Sequence, residues 1–506
     1  MFYRVRTKQR GTPTQSARAI DEDRYVAEGH HADDAEELGM NWSGLSRPVS
    51  WAYIHGAWPL LYPATHRGVG KRLRRYAELE RLSLQENQRL QWEALVKLLV
   101  HAYDSSPFYR QRFDSAGVRP ANGLSPSDFE KVPVLTRDDI RNHLSELRSN
   151  CYRPEELLAA ATGGTTDTPV PILRHPDSVR EKMAIQLRFD MWAGFLPGDK
   201  VFRLWGARQD FSENPSWRWR LYDRHLMREV WAPTSLMNEK VLESYRQTLN
   251  RFRPRIVYAY PTPLALFCEF LRDSGRPYHR PFSAICTAEP LYAHQRQVIE
   301  KVLGCPVFER YASREFGTIA AECECHQGLH INPAAAYVEY VPIVDSGLNR
   351  MREILVTDLL NYGMPLIRYR INDCALAGPE ACPCGRGFPL IKRIEGRTTD
   401  VFRLPNGDVV PGVALTNRVL QVCPGLKKVQ VIQEALEDFR VRFVPGQEFS
   451  AADLDLLCQN LRRFFPGDVE WKFERVHDIE RERSGKTRFC VSKLPQVSRI
   501  QVSGHS

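Results

Sequence analysis

The chain has 506 residues, 43% of them hydrophobic and 26% charged, with 70 basic against 61 acidic side chains for a formal charge of +9. That length exceeds one ordinary core and implies a large domain with at least one smaller one, while the mild positive charge fits small anionic ligands and does not require nucleic acid. No apolar run approaches the roughly 20 residues of a membrane helix, and the N-terminus lacks a basic stretch followed by an apolar core, so a cytoplasmic protein is expected. In that setting its 12 cysteines stay reduced and form no disulfide scaffold.

Residues 1–45 are charged and small, as in His30-His-Ala-Asp-Asp-Ala-Glu-Glu37, and read as a disordered extension in which Met40 is an alternative start. The basic run 67–75 reads as a solvated helix face. From about Leu82 apolar residues recur at helical spacing until Ser105-Ser-Pro107 ends the pattern. Strand-like runs at 201–205, 255–260 and 283–286 then alternate with helical stretches at 263–273 and 292–303, which implies an α/β layered domain with ligand loops at strand ends. After Gly396-Arg397 the segments shorten: strand-turn-strand over 400–410 around Asn406-Gly407, then a helix, strands, a helix over 451–465 and a last strand pair. The expected organisation is a large α/β domain over 46–397, a small mobile α+β domain over 398–494 and a tail over 495–506.

Six short motifs follow one another along this frame: Thr162-Gly163-Gly164-Thr165-Thr166-Asp167-Thr-Pro169, Thr287-Ala288-Glu289-Pro290, Tyr311-Ala-Ser313-Arg-Glu315, Asp373, Gly396-Arg397 and Ser484-Gly-Lys486. The first offers small residues that let backbone N–H groups approach phosphate oxygens, with hydroxyls as further donors, although it lacks the Gly-Lys-Ser/Thr ending of a P-loop and reads equally as a polar turn. Around the fourth and fifth lie three further runs: Thr357 to Arg370 before Asp373, Cys382-Pro-Cys384-Gly-Arg386 after it, and Arg393-Ile-Glu-Gly-Arg397, which contains the fifth. In order and content the series resembles the adenylate-forming enzymes, in particular the phenylacetate-CoA ligase-like and CapK-like branch, over about 84–494.

The resemblance implies a function and assigns roles. Residues 162–166 would cradle ATP phosphates, Ala288, Glu289 and Pro290 would line the adenine site with Tyr311 and Ser313 beside it, and Glu315 would hold Mg2+. Asp373 would bind the ribose, Arg397 would contact ribose or phosphate, and Lys486 would reach from the small domain into the adenylation site as the electrostatic catalyst. Trp205, Gly206, Tyr258 and Tyr260 are candidates for the acid pocket. Three positions depart from the family pattern: Asp167 near the phosphates, Ile371-Asn372 where Thr-Gly usually precedes the aspartate, and Thr399 at the hinge.

Thiolate and imidazole donors gather at Cys323, Cys325, His326, His330, Cys382 and Cys384, residue types that structural zinc prefers and that also occur as ordinary buried cysteines. Similar ligases select Cys323, His330, Cys382 and Cys384, with Cys325 and His326 as substitutes. The expected activity is ATP-dependent conversion of a carboxylic acid to an acyl-adenylate, followed by transfer to CoA. The alternatives are an amide ligase with an amine acceptor, or a homologue that binds nucleotide or acyl ligand without catalysis.

Overall fold

The computed structural model describes residues 50, 52–57, 60, 63–161, 169–205, 227–234, 237–342, 351–397, 401–405, 409–411, 425–446, 449–465, 469–479 and 490–494. The chain enters through two helices, α1 (Val69–Arg81) and α2 (Leu84–Ser105). Ser83 and Glu86 form a capping box that starts α2, each side chain bonding the other's backbone N–H, and Ser106 caps the next helix before Pro107. The basic run on α1 is a working surface of the fold: Arg72 and Arg75 both bond Glu181, at 3.0 and 2.7 Å.

A hairpin of β1 (Leu158–Ala161) and β2 (Pro171–Arg174) precedes the long helix α3 (Pro176–Trp192). Next come β3 (Val201–Trp205), β4 (Glu229–Pro233), α4 (Glu239–Phe252), β5 (Ile256–Ala259), α5 (Pro261–Ser274), β6 (Ser283–Thr287), α6 (Ala293–Leu303) and β7 (Val307–Ser313). The antiparallel strands β8 (Gly317–Glu322), β9 (Leu329–Ile331), β10 (Ala336–Pro342), β11 (Met351–Asp358), β12 (Tyr369–Ala377) and β13 (Leu390–Arg397) complete the large unit.

Among the described residues these strands form one eleven-stranded sheet, in the order β10-β11-β12-β13-β9-β8-β7-β6-β5-β3-β4. Strands β4, β3, β5, β6 and β7 are parallel, and every pairing from β7 to β10 is antiparallel. The change of sense falls at β7, whose carboxyl end doubles back into β8 by a tight turn. The parallel strands read as apolar runs because helices cover them: β5 and β6 are buried along their whole length.

A second core starts at Phe402. It joins β14 (Val401–Arg403), β15 (Val409–Pro411), β16 (Leu426–Gln433), β17 (Asp438–Pro445), α7 (Ala451–Phe464), β18 (Glu470–Arg475) and β19 (Cys490–Ser492). Four of these strands form a sheet in the order β18-β17-β16-β19, with Phe402, Phe439, Phe465 and Trp471 packed on one another. The architecture is the expected one, a large α/β unit followed by a smaller α+β unit. Residues 1–45, the 495–506 tail and Thr399 lie outside the described residues.

No helix among the described residues is long and apolar enough to cross a membrane.

Candidate functional site

Parallel strands end on the same edge of a sheet, and the segments that follow them carry ligands. Here Trp205 ends β3, Tyr260 follows β5, Ala288-Glu289-Pro290 follow β6, and Tyr311 and Ser313 lie near the end of β7. β7 runs through to Ser313, because β8 pairs back on it with Ser313 opposite Gly317, so the ladder extends to the turn itself.

Backbone strain marks the loop after β6. Ala288 has φ +71°, a left-handed conformation that costs a residue with a Cβ about 1–2 kcal/mol. Two bonds hold it there: Thr287 Oγ1 donates to the carbonyl of Arg310 at 2.8 Å, and the Glu289 carboxylate accepts from the N–H of Thr262 at 3.3 Å. The second bond places a negative charge at the N-terminus of α5, where the helix dipole favours it. Glu289 therefore ties the loop to α5, a role its motif did not reveal.

Tyr311 and Asp373 meet directly. The Tyr311 hydroxyl donates to Asp373 Oδ2 at 2.7 Å, joining residues 62 positions apart that belong to two of the six motifs. Asp373 is also the ladder partner of Arg397, so the next motif residue lies opposite it on β13. Asn372 explains the missing Thr-Gly: its φ is +64°, the left-handed region that glycine favours and that asparagine tolerates best among the other residues. Tyr311→Phe removes one hydrogen bond to a charged group, worth about 1.5–3 kcal/mol. A tenfold or greater rise in the Kd for ATP is expected, read by calorimetry, together with a modest fall in the unfolding temperature, because the bond is also present in the free protein.

Glu315 sits in the turn between β7 and β8 and is 5% exposed. Among the described residues no hydrogen bond or ion pair reaches its carboxylate. A nearly buried carboxylate with free oxygens at the ligand edge of a sheet suits a hard cation, so the residue fits the Mg2+ role.

Glu309, on β7 behind the loop, accepts from the N–H of Leu291 at 3.3 Å. Burial, reinforced by the neighbouring Glu322, pushes its carboxyl up to about 8. Such a group binds a proton in the folded state that the unfolded chain has released, so stability falls as pH rises from about 4.5 to about 8. Glu309→Gln keeps an acceptor for Leu291 and should flatten that slope by up to about 1.4 kcal/mol per pH unit, measured by denaturant titration across the range.

The aromatic candidates separate. Trp205 and Tyr260 lie 4.7 Å apart between ring centroids, with Trp231 6.5 Å from Trp205. Tyr258 is 2% exposed and sits between the guanidinium groups of Arg203 and Arg310, at 4.6 and 5.0 Å from its ring. Arg310 bonds Asp190 at 2.9 Å and Arg203 bonds Glu229 at 2.6 Å, so Tyr258 belongs to a buried ion network that the sequence reading missed. Gly206, Thr162, Gly163, Gly164, Thr165, Thr166, Asp167 and Lys486 lie outside the described residues. The segment 162–168 joins β1 to β2, whose pairing continues to Ala161 opposite Pro171.

Cys323, His330, Cys382 and Cys384 come together from the end of β8, from β9 and from the β12–β13 connection, with all four donor atoms within 4.8 Å of one another. Cys323 Sγ lies 3.6 Å from Cys382 Sγ, and Cys384 Sγ lies 3.4 Å from His330 Nε2. A tetrahedron with Zn–S of about 2.3 Å and Zn–N of about 2.0–2.1 Å has edges of roughly 3.5–3.8 Å, so this donor set fits zinc. Burial pushes the Cys323 thiol up and, with Arg386, the His330 imidazole down to about 4. His326 is engaged elsewhere, 3.3 Å from Glu322, and Cys325 is outside the cluster. Arg386 pins the Cys-x-Cys loop by stacking on Trp192 at 4.5 Å and bonding Glu324 at 2.9 Å.

Residues 402–493 match the family model described as the CapK C-terminal domain. Over 375 residues the chain is 24% identical to protein CapK of Staphylococcus aureus, covering 73% of this chain and 82% of that one. It is 27% identical to phenylacetate-coenzyme A ligase of Escherichia coli over 345 residues, 66% of this chain and 76% of that one. A crystal structure of 2-hydroxyisobutyryl-CoA ligase in the postadenylation state superposes with a TM-score of 0.64 at 19% identity, covering 82% of this chain and 90% of that one. The fold is that of the adenylate-forming ligases. The resemblance to the CapK-like and phenylacetate-CoA ligase-like branch, read from six motifs, holds along the matched length.

Proposed function

We propose that this adenylate-forming ligase activates a carboxylic acid with ATP and passes the acyl group to CoA. The observation that carries the reading is the direct bond between Tyr311 and Asp373 at the ligand edge of the sheet, beside the strained loop Ala288-Glu289-Pro290 and the Glu315 turn. Similarity to phenylacetate-coenzyme A ligases and the shared fold of a CoA ligase support it.

In the first half-reaction a carboxylate oxygen attacks the α-phosphorus of ATP and pyrophosphate leaves. In the second the CoA sulfur attacks the acyl carbon and AMP leaves. The Asp373 carboxylate accepts from the ribose hydroxyls, and Tyr311, fixed by that carboxylate, gives the base a flat wall. Arg397, across the ladder from Asp373, supplies donors to ribose or phosphate. Residues 162–166 donate to the β- and γ-phosphates. Glu315 would hold Mg2+, whose charge would lower the cost of gathering phosphate charge around the incoming carboxylate. Lys486 neutralises the charge that spreads over the carboxylate oxygen and α-phosphate in the transition state. The Cys323–His330–Cys382–Cys384 set holds zinc as a structural tie beside the Glu315 turn.

Acid-dependent ATP–pyrophosphate exchange over a panel of aryl, fatty, amino and sugar acids tests the first half-reaction. Exchange with one class establishes adenylation and names the acid family; silence across the panel with ATP bound favours a non-catalytic role. The CapK C-terminal match favours a second reading for the acceptor, an amine that yields an amide. A thioester formed with free CoA, against an amide formed without it, separates the two.

A further inference from the structure

We propose that Lys182 and Asp358 form a buried positioning pair for the Glu315 turn, an inference that rests on the reading of Glu315 as the Mg2+ carboxylate. Lys182, on α3, is 10% exposed in its side chain, and Asp358, at the end of β11, is 1% exposed. Their Nζ–Oδ2 distance is 2.6 Å, and the same ammonium donates to the backbone carbonyl of Glu315 at 3.1 Å. Asp358 is fixed in turn: its Oδ1 accepts from the N–H of Leu360 at 3.1 Å, and its own N–H donates to Leu366 at 2.9 Å.

A second cation holds the adjacent peptide, since Arg174 on β2 donates to the carbonyl of Arg314. The stem of Lys182 packs along the inside of the turn, where a Cβ on Gly317 would meet its Cβ and Cδ at 3.5 Å. Gly317 needs its φ of +74° to close the turn. Two successive carbonyls of one turn are therefore bonded to cations from two different elements. One of those elements, β2, is an arm of the hairpin that carries residues 162–168.

A buried ammonium is costly without a partner, and burial does lower the proton affinity of Lys182 while Asp358 opposes that effect. A methionine would fill the same space more cheaply. The charge makes sense where a donor must reach a main-chain oxygen and where Glu315, also an electrostatic partner of Lys182, would otherwise drift. Lys182 thus acts on the metal through the main chain of Glu315, one step further from the ion than the groups that bond ligating side chains directly, whose loss costs about 10–100-fold in affinity.

The test is calorimetric titration of ATP into the full chain with saturating Mg2+ and with EDTA, alongside thermal unfolding. No acid substrate is required. The wild type should bind ATP more tightly with Mg2+. The double variant Lys182→Met, Asp358→Asn keeps the acceptor for Leu360 and leaves no unpaired buried charge. It should unfold near the wild-type temperature yet lose about tenfold of the Mg2+-dependent gain. Should it fail to fold, Lys182→Gln alone, which can still donate to Asp358 but is too short to bond the Glu315 carbonyl as well, should lose about tenfold of the same gain. Glu315→Gln separates the two failures. If Glu315→Gln retains the full Mg2+ response, or the wild type shows none, the metal reading falls and this inference with it. If Glu315→Gln abolishes the response while the double variant, or in its place the single variant, keeps it, the positioning role alone is overturned.

Discussion

Lys486→Ala should lower acid-dependent ATP–pyrophosphate exchange by about 10²–10³-fold while leaving the Kd for ATP within about threefold of wild type. The expectation follows from where charge develops. On the proposed mechanism, the polyphosphate charge in the ground state would be met by donors of residues 162–166, by Arg397 and by Mg2+ on Glu315, and Lys486 would add little. As the carboxylate oxygen closes on the α-phosphorus, negative charge concentrates between two groups that repel each other, and a single ammonium placed there stabilises the transition state selectively. A loss confined to kcat is the signature of that role. Lys486→Arg should recover only part of the rate, since a planar fork does not reproduce a compact point charge. Equal exchange by Lys486→Ala and wild type would remove the lysine from the mechanism. A variant that loses ATP binding and exchange together would assign it to ground-state binding instead.

Much of the architecture could be read directly from local signals. Ser83 with Glu86, and Ser105-Ser-Pro107, bound a helix by chemistry that acts within four residues, and α2 runs between them. The apolar runs that became β5 and β6 are continuous because both faces of a parallel sheet are covered. Among the described motif residues, Ala288 to Pro290 follow β6, Tyr311 and Ser313 lie near the end of β7 and Arg397 ends β13, while Asp373 lies within β12, and the sheet topology brings Tyr311, Asp373 and Arg397 together. What the sequence could not show are pairs made across long separations. Lys182 and Asp358 are 176 positions apart, and Glu80, which binds Arg188 at 2.7 Å, is 108 positions from its partner. No local pattern marks such residues, since a lysine on a helix ordinarily faces water. Tyr258 illustrates the converse: an aromatic residue near a strand end suggests a pocket wall, yet Arg203 and Arg310 enclose it. Asn372 appeared as a broken motif because only the backbone angle reveals that it stands in for glycine.

Purified without chelator, the wild-type protein should carry about one equivalent of zinc, and Cys382→Ser should carry almost none. Cys382 is 7% exposed and Cys323 is 0% exposed, so a serine hydroxyl would face a buried sulfur in place of a thiolate on the metal. A zinc ion on these four residues would link β8, β9 and the β12–β13 connection, and its binding free energy would act as folding free energy for those segments. Loss of the ion should therefore destabilise the large unit by at least about 3 kcal/mol, the scale of breaking one member of a buried interacting set. The effect should centre on the loop from Cys382 to Phe388. That loop packs against the α1–α2 junction, where Asn87 bonds Gly387 at 2.8 Å and any Cβ on Gly387 would meet the carbonyl of Leu82 at 2.1 Å. Limited proteolysis should therefore cut at residues 382–388 in the variant and not in the wild type. The pH dependence follows from the same burial. With the Cys323 thiol pushed up and His330 held near 4, zinc binding must expel the Cys323 thiol proton and meets an imidazole that is already neutral. Zinc affinity should thus fall steeply on acidification, more than one decade per pH unit wherever more than one thiol is deprotonated by binding. Wild-type protein with no stoichiometric metal, and a Cys382→Ser variant as stable as wild type, would together leave the four residues as ordinary core.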